Sequence, residues 1–369
     1  MRVILTGGGT GGHIYPALAI AKGLLARDPE TMILYIGTRN GMEASLALEA
    51  GLEFAGVSGR GLPRRASPDL LKTIATSCKA FWETKKILRR FHPDLVVGTG
   101  GYVSGPVVLT AAVFGFPTLL HEQNVWPGVT NRILARFVKR VMVTFPESMG
   151  NFRTKKKLAL VGFPVRPELG RMSREAGARH FGLDPNKLTL LVTGGSRGAQ
   201  QINHAMTEVL ACLAGRLDIQ VIWATGTLDH HEVVENLRQK GLVGKRDGWL
   251  ILEYISDMPE ALACADLFVG RAGAATLAEL ASVKVPGLLI PYPYAAGNHQ
   301  EHNARTIVKA GAALMIPDSE LSGERLWQEV ERLLSQPALL ASMGAAMETN
   351  AAPRALEKII DICYDTAWR

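Results

Sequence analysis

Along the chain, short apolar runs rich in β-branched residues alternate with longer segments whose apolar positions recur at helical spacing. In the first half the runs are Val3–Leu5, Met32–Ile36, Leu95–Gly98, Thr118–His121 and Val141–Val143. In the second they are Leu188–Val192, Ile219–Ala224, Leu250–Leu252, Leu267–Gly270 and Gly287–Pro291. Runs this apolar predict strands covered on both faces, and a helical segment after each predicts parallel sheets. The halves begin alike: "VILTGGGTGGHIYPALAIA" and "LLVTGGSRGAQQINHAM" both read as strand, glycine loop, helix. The pattern therefore predicts an α/β chain of two Rossmann-like domains, residues 1–163 and 164–349. They join near Val161–Glu168, where two prolines and a glycine break regular structure. A terminal helix over 350–369 is expected on the first domain. Ligands are expected in a cleft between the domains, beyond the carboxyl ends of the strands.

Composition supports a cored protein: of 369 residues, 47% are hydrophobic and 20% charged. Charge is uneven, +12 over residues 1–166 and −5 over the rest, so the first half favours an anionic partner: nucleic acid, an acidic substrate or a membrane surface. Cys78, Cys212, Cys264 and Cys363 are too scattered for a disulfide framework or a zinc site, which fits a reducing cytoplasm. Leu95–Leu120 carries no charge, but "GTGGYVSGP" divides it into strand, loop and helix rather than one continuous span. The apolar run after Arg2 ends at Leu5, too short for a secretory signal.

Thr6–Ala21 contains G-x-G-x-x-G at Gly7, Gly9 and Gly12. A dinucleotide site would want an acid at the tip of the second strand, yet "YIGTRNG" has none, and Glu43 comes only in the next helix. A P-loop would want lysine where His13 stands. What remains is a loop that lets a ligand approach a helix N-terminus, with His13 beside it. His13 is either a general base or a pin for the loop, and both readings stand at this level. "GTGGYVSGP" (Gly98–Pro106) and "TGGSRGAQ" (Thr193–Gln200) are two further loops of this kind, the latter with Ser196 and Arg197 as phosphate donors. Three such loops favour phosphate or diphosphate binding. Glu279 in "GRAGAATLAEL" stands about two turns into a helix. In "GNHQEHNA", His299, Glu301 and His302 lack the spacing of a zinc-protease motif, and no D-x-D occurs, so no metal is expected.

Together these loops, "HEQNVWPGVTNR" (His121–Arg132), "GRAGAATLAE" and "GNHQEHNA" resemble the MurG family, the peptidoglycan N-acetylglucosaminyltransferases of bacteria. The likeness runs in order from residue 6 to beyond residue 304. It implies a GT-B fold and an inverting, metal-independent and cofactor-free transfer. N-acetylglucosamine (GlcNAc) would pass from UDP-GlcNAc to the muramyl 4-hydroxyl of lipid I, the undecaprenyl-diphosphate-linked MurNAc-pentapeptide, giving lipid II. It also implies roles for single residues. His13 is the base candidate. Thr10, Gly11, Gly12, Asn124, Arg166, Ser196, Ile255, Glu279, Gln300 and Asn303 correspond to donor contacts, with the Ile255 backbone on uracil and Glu279 on the ribose hydroxyls. Gly100, Gly101, Tyr102, His121 and Glu122 correspond to the acceptor side. Arg197, Ala275 and Trp126 depart from the residues usual at their positions. A lipid glycosyltransferase or UDP-GlcNAc epimerase of the same fold is the alternative. A dehydrogenase lacks its ribose acid, and a nucleic-acid module would leave the glycine loops and Glu279 without a role.

Ser67–Phe91 reads as a helix with Ser67 as cap and Pro68 in its first turn. Leu70, Leu71, Ile74, Cys78, Phe81 and Trp82 recur at helical spacing among Lys72, Lys79, Lys85, Lys86, Arg89 and Arg90. One reading is a core-facing helix with a solvated basic face. The other is docking of Leu71, Ile74, Phe81, Trp82, Lys85 and Lys86 on an anionic membrane. The resemblance favours the second: a peripheral protein on the cytoplasmic face of the plasma membrane, with other cell-wall or division proteins as candidate partners and no nucleic acid.

Overall fold

A computed structural model describes residues 1–61, 69–166, 168–242 and 248–368, without the side chains of residues 69–71. Ser67, Pro68 and Pro167, and the side chains of Leu70 and Leu71, therefore lie outside the described residues. The chain divides into two compact units: Met1–Val165 with Ala352–Arg369, and Arg166–Ala351.

In the first unit the strands are β1 (Arg2–Gly7), β2 (Met32–Thr38), β3 (Glu53–Val57), β4 (Leu95–Gly100), β5 (Thr118–Glu122), β6 (Arg140–Val143) and β7 (Leu158–Leu160). They form one sheet in the order β3-β2-β1-β4-β5-β6-β7, every pairing parallel. Alternate side chains enter opposite faces, as the strand pleat dictates. Val3, Leu5, Leu95, Val97 and Leu119 join one core with the helix Gly11–Arg27 and the terminal helix Ala355–Ala367. Ile4, Val96, Leu120, Val141 and Val143 join the other core with the helices Asp69–Phe91 and Ser104–Val113. The terminal helix is fastened to the first helix by Leu356 and Ile360 against Gly23 and by an Arg27–Asp361 ion pair.

The second unit repeats the plan with β8 (Leu188–Thr193), β9 (Ile219–Ala224), β10 (Trp249–Leu252), β11 (Leu267–Gly270), β12 (Gly287–Leu289) and β13 (Ala313–Met315). Their order is β10-β9-β8-β11-β12-β13, again all parallel. One face buries Leu190, Val221, Trp223 and Val269 under Ile202, Met206 and Leu210 of the helix Gln200–Leu213. A sheet of parallel strands brings the N-termini of its following helices to one edge, where the glycine loops lie.

The helix Asp69–Phe91 buries Thr73, Ala80, Thr84, Leu88 and Phe91. This is not the apolar stripe read from the sequence: Ile74, Cys78 and Trp82 face outward, with Ile74 51% and Trp82 59% exposed. Val113 and Phe114 from the end of the neighbouring helix extend the exposed apolar surface, and Phe81 lies against Phe114 with ring centroids 5.9 Å apart. Lys85 reaches over both the Trp82 and Phe114 rings. Among the described residues, no helix is long and apolar enough to cross a membrane.

Candidate active site

In the first unit, β1 runs straight into the loop Gly8–Thr10 and the helix Gly11–Arg27. Thr10 is the N-cap but supplies no side-chain cap, and the N–H groups of Gly11 and Gly12 have no acceptor among the described residues. By contrast, the helices that start after Ser173 and Ser322 are capped by those serine side chains. Uncapped first turns leave donors and the positive helix end for a ligand. The second loop packs directly on the first. Gly8 N–H donates to the Gly100 carbonyl at 3.3 Å, and the Tyr102 ring lies over Gly9.

Gly100 and Gly101 have φ of +109° and +83°, and a Cβ on Gly101 would overlap the Gly8 carbonyl. Gly101→Ala is therefore expected to cost about 1–3 kcal/mol of stability and to pull the first loop out of place, lowering activity. Gly115, with φ +82° and no atom within 4 Å of its Cβ position, isolates the backbone term: Gly115→Ala should lose less stability and keep activity. Thermal unfolding and turnover of the two variants check this, and equal losses would remove the Gly8 contact as the cause.

His13 lies in the first turn of its helix. Its Nδ1 is 3.1 Å from the Thr99 carbonyl oxygen and 3.2 Å from Gln123 Oε1. Two acceptor oxygens at Nδ1 place the proton there, which leaves the Nε2 lone pair available. Burial lowers the His13 pKa from its usual 6.5, against the opposing hydrogen bonds of Gln123 and Thr99, so the imidazole stays neutral.

His121 and Glu122, the acceptor-side candidates, have their polar atoms engaged within the protein. Both are buried: His121 Nε2 donates to the Gly162 carbonyl at 3.0 Å, and Nδ1 accepts from Gln123 Nε2 at 3.1 Å. Glu122 accepts from the backbone N–H groups of Asn124 and Gly128 and from the side chains of Asn124 and Asn131. Its carboxyl pKa is raised, chiefly by burial. Both side chains thus shape the loop Gln123–Gly128 from beneath. Glu43, passed over in the sequence, is also buried; it accepts from Thr38 and from the Gly9 N–H, holding the first loop.

In the second unit, the loop after β8 carries Ser196 and Arg197, both exposed. The helix that follows starts at Gln200 without a side-chain cap, and the Gln200, Gln201 and Ile202 N–H groups have no acceptor among the described residues. Gly198 (φ +85°) and Gly226 (φ +88°) touch back to back: a Cβ on either would overlap backbone of the other's loop. Thr227 N–H also donates to the Ser196 carbonyl at 3.3 Å.

Glu279, on the helix Ala274–Val283, receives Arg166 Nε and Nη2 at 3.2 and 2.9 Å. Burial raises the Glu279 carboxyl pKa and Arg166 opposes the rise. The Ile255 side chain is buried, which leaves its backbone as the part that can meet a base. Gln300 Oε1 accepts from Tyr292 N–H at 3.0 Å. Asn303 is fully buried, with Nδ2 donating to the Ala272 carbonyl. Arg271, quoted within its motif but not singled out, donates to the Ile290 and Pro291 carbonyls and to Asp318, bracing the loop before Gln300. Glu301 is engaged by Asn298 and Arg305, and His299 by the Ala296 carbonyl. Among the described residues, no three His, Cys, Asp or Glu side chains form a group that could hold a metal.

Residues 3–143 match the glycosyltransferase family 28 N-terminal domain, and residues 189–359 match the glycosyltransferase family 28 C-terminal domain. The chain belongs to glycosyltransferase family 28. Among family 28 relatives is the UDP-N-acetylglucosamine--N-acetylmuramyl-(pentapeptide) pyrophosphoryl-undecaprenol N-acetylglucosamine transferase of Desulfitobacterium hafniense (strain Y51), 63% identical with all of both chains covered. The protein of that name from Moorella thermoacetica is 46% identical, with 99% of each chain covered. Of solved structures, Acinetobacter baumannii MurG is 28% identical, covers 99% of each chain and gives a TM-score of 0.77. UDP-GlcNAc 2-epimerase from Neisseria meningitidis, at 12% identity and TM-score 0.70 over 99% of this chain and all of that one, shares the fold alone. The family 28 enzyme thus has the GT-B architecture of two Rossmann-like parallel-sheet domains.

Proposed function

We propose that this family 28 enzyme moves N-acetylglucosamine from UDP-GlcNAc to the muramyl 4-hydroxyl of lipid I, giving lipid II by a single inverting displacement. The observation that carries the mechanism is His13 beside an uncapped helix start, with Nδ1 against two acceptor oxygens, an arrangement that assigns the proton to Nδ1 and the lone pair to Nε2. The relatives' names supply the substrates.

In this reading His13 Nε2 takes the proton of the acceptor hydroxyl as its oxygen bonds to C1 of the donor sugar. The bond from C1 to the diphosphate oxygen breaks, and UDP leaves with the electron pair. The N–H groups at the start of Gln200–Leu213 and the Ser196 hydroxyl receive that charge. Glu279 holds the ribose hydroxyls, a role for which Arg166 must share or release it. In the first unit, the Gly100–Tyr102 loop holds the acceptor diphosphate, and Thr10, Gly11 and Gly12 of the loop packed on it contact the donor.

The test is UDP release from labelled UDP-GlcNAc with and without a short-chain lipid I analogue, in EDTA. Acceptor-dependent release is expected. Conversion of the donor without acceptor would replace this reading with an epimerase.

The outward face of Asp69–Phe91 supports peripheral membrane docking. Ile74, Trp82, Val113 and Phe114 are exposed apolar groups, with Lys72, Lys79, Lys86, Arg89 and Arg90 on the same helix. Reversing Lys85, Lys86, Arg89 and Arg90 to glutamate should weaken binding to anionic vesicles by at least tenfold, at about 1 kcal/mol per basic residue near the surface. UDP affinity should be unchanged; vesicle binding that does not move would remove docking through this helix.

A further inference from the structure

We propose that Gln123 and His121 are positioning residues that, together with the Thr99 carbonyl, fix the tautomer of His13, so that Nε2 is the free base nitrogen. This rests on the reading of His13 as the base. The Thr99 carbonyl can only accept, and it lies 2.7 Å from Gln123 Nε2, so the Gln123 amide must turn its nitrogen toward Thr99. Its oxygen then faces His13 Nδ1. The Gly162 carbonyl can only accept, so the His121 proton sits on Nε2, and the Nδ1 lone pair shares the second amide N–H of Gln123 with the His121 carbonyl, each at 3.1 Å. Gly162 is itself confined, with φ +91° and no room for a Cβ beside Ala352. Every link has one direction: His13 Nδ1–H to Gln123, Gln123 N–H to His121, His121 Nε2–H to Gly162.

The chain holds only while His121 carries a single proton. A second, on Nδ1, would oppose the Gln123 N–H and weaken its hold on the amide, whose oxygen keeps the His13 proton on Nδ1 together with the Thr99 carbonyl. Burial lowers the His121 pKa to about 4, which keeps that state out of the range where the enzyme works. The other titratable groups around the loops stand apart from this chain. Tyr35 on β2 donates to the Gly7 carbonyl, Glu43 holds Thr38 and Gly9, Tyr102 covers Gly9, and Glu122 is held by Asn124, Gly128 and Asn131.

Two variants and one measurement on the unaltered chain test the proposal. In Gln123→Met one of the two hydrogen bonds that support the His13 proton is gone, and the Thr99 carbonyl remains. The plateau kcat should fall about tenfold or more, and the acid limb of kcat/KM should move to lower pH. In Gln123→Glu a negative acceptor faces Nδ1, and the limb should move to higher pH. UDP affinity should be unchanged in both, and a merely structural role would lower the plateau without moving the limb. Limbs that stay put in both variants, or shift the same way, overturn the proposal. Should either variant fail to fold, nitrogen-15 NMR of histidine-labelled wild-type protein reads the tautomers directly, with each resonance assigned by its loss on substitution. Nδ1–H at His13 and Nε2–H at His121 are expected; Nε2–H at His13 overturns the proposal. If the wild type shows no acceptor-dependent UDP release, the functional reading fails, while the tautomer result stands by itself.

Discussion

His13→Ala is expected to lower kcat by about 10³-fold, the middle of the range for a positioned proton acceptor. UDP should bind as before, because Ser196, Ile255 and Glu279 belong to the other compact unit. The pH profile of the wild type carries the signature of the residue. A base works only when unprotonated, and burial holds the His13 pKa below 6.5, so the acid limb of kcat/KM should fall below pH 6.5. His13→Ala should lose that limb. Near-normal turnover in a folded His13→Ala protein would move the base elsewhere in the first unit.

Glu279→Ala is expected to lower kcat/KM for UDP-GlcNAc by about 10²–10³-fold, the loss of two hydrogen bonds to a charged acceptor. The variant also leaves the Arg166 guanidinium without its carboxylate, so the whole effect is not the ribose contact. A 2′-deoxyribose donor separates the terms. The wild type should discriminate against it strongly, and Glu279→Ala should use the two donors nearly alike. A variant that still prefers the ribose donor would assign the 2′-hydroxyl to another residue. The raised Glu279 pKa adds a pH test: donor affinity should weaken on acidification at higher pH than an ordinary glutamate near 4.5 would dictate.

The inner strands were legible because both of their faces are buried, which makes them continuous apolar runs. Three strands that the runs did not announce, β3, β7 and β13, lie at sheet edges. They have half-buried or exposed positions and no need for such a run: Glu53 and Leu160, for instance, are exposed. The glycine loops were legible because tight turns and close backbone contacts demand glycine itself. Gln123 and Glu43 were not, because their value comes from partners brought near by the sheet, Thr99 and His13 for one and Gly9 for the other. For the same reason the motifs marked His121, Glu122 and Asn303 as candidates without revealing that all three are buried. In the helix Asp69–Phe91, spacing identified an apolar stripe but not which way it faced. The core is satisfied by Thr73, Ala80, Thr84 and Leu88, and that frees Ile74 and Trp82 for the outside.

The back-to-back contact of Gly198 and Gly226 has an evolutionary consequence. Gly226 belongs to the turn after β9, yet any side chain there would be felt as a distortion of the loop that presents Ser196 and Arg197. Neither position can drift alone. In an alignment of active relatives the two should be kept or exchanged together, and a harmful change at Gly226 should find its suppressors in the β8 loop rather than beside itself.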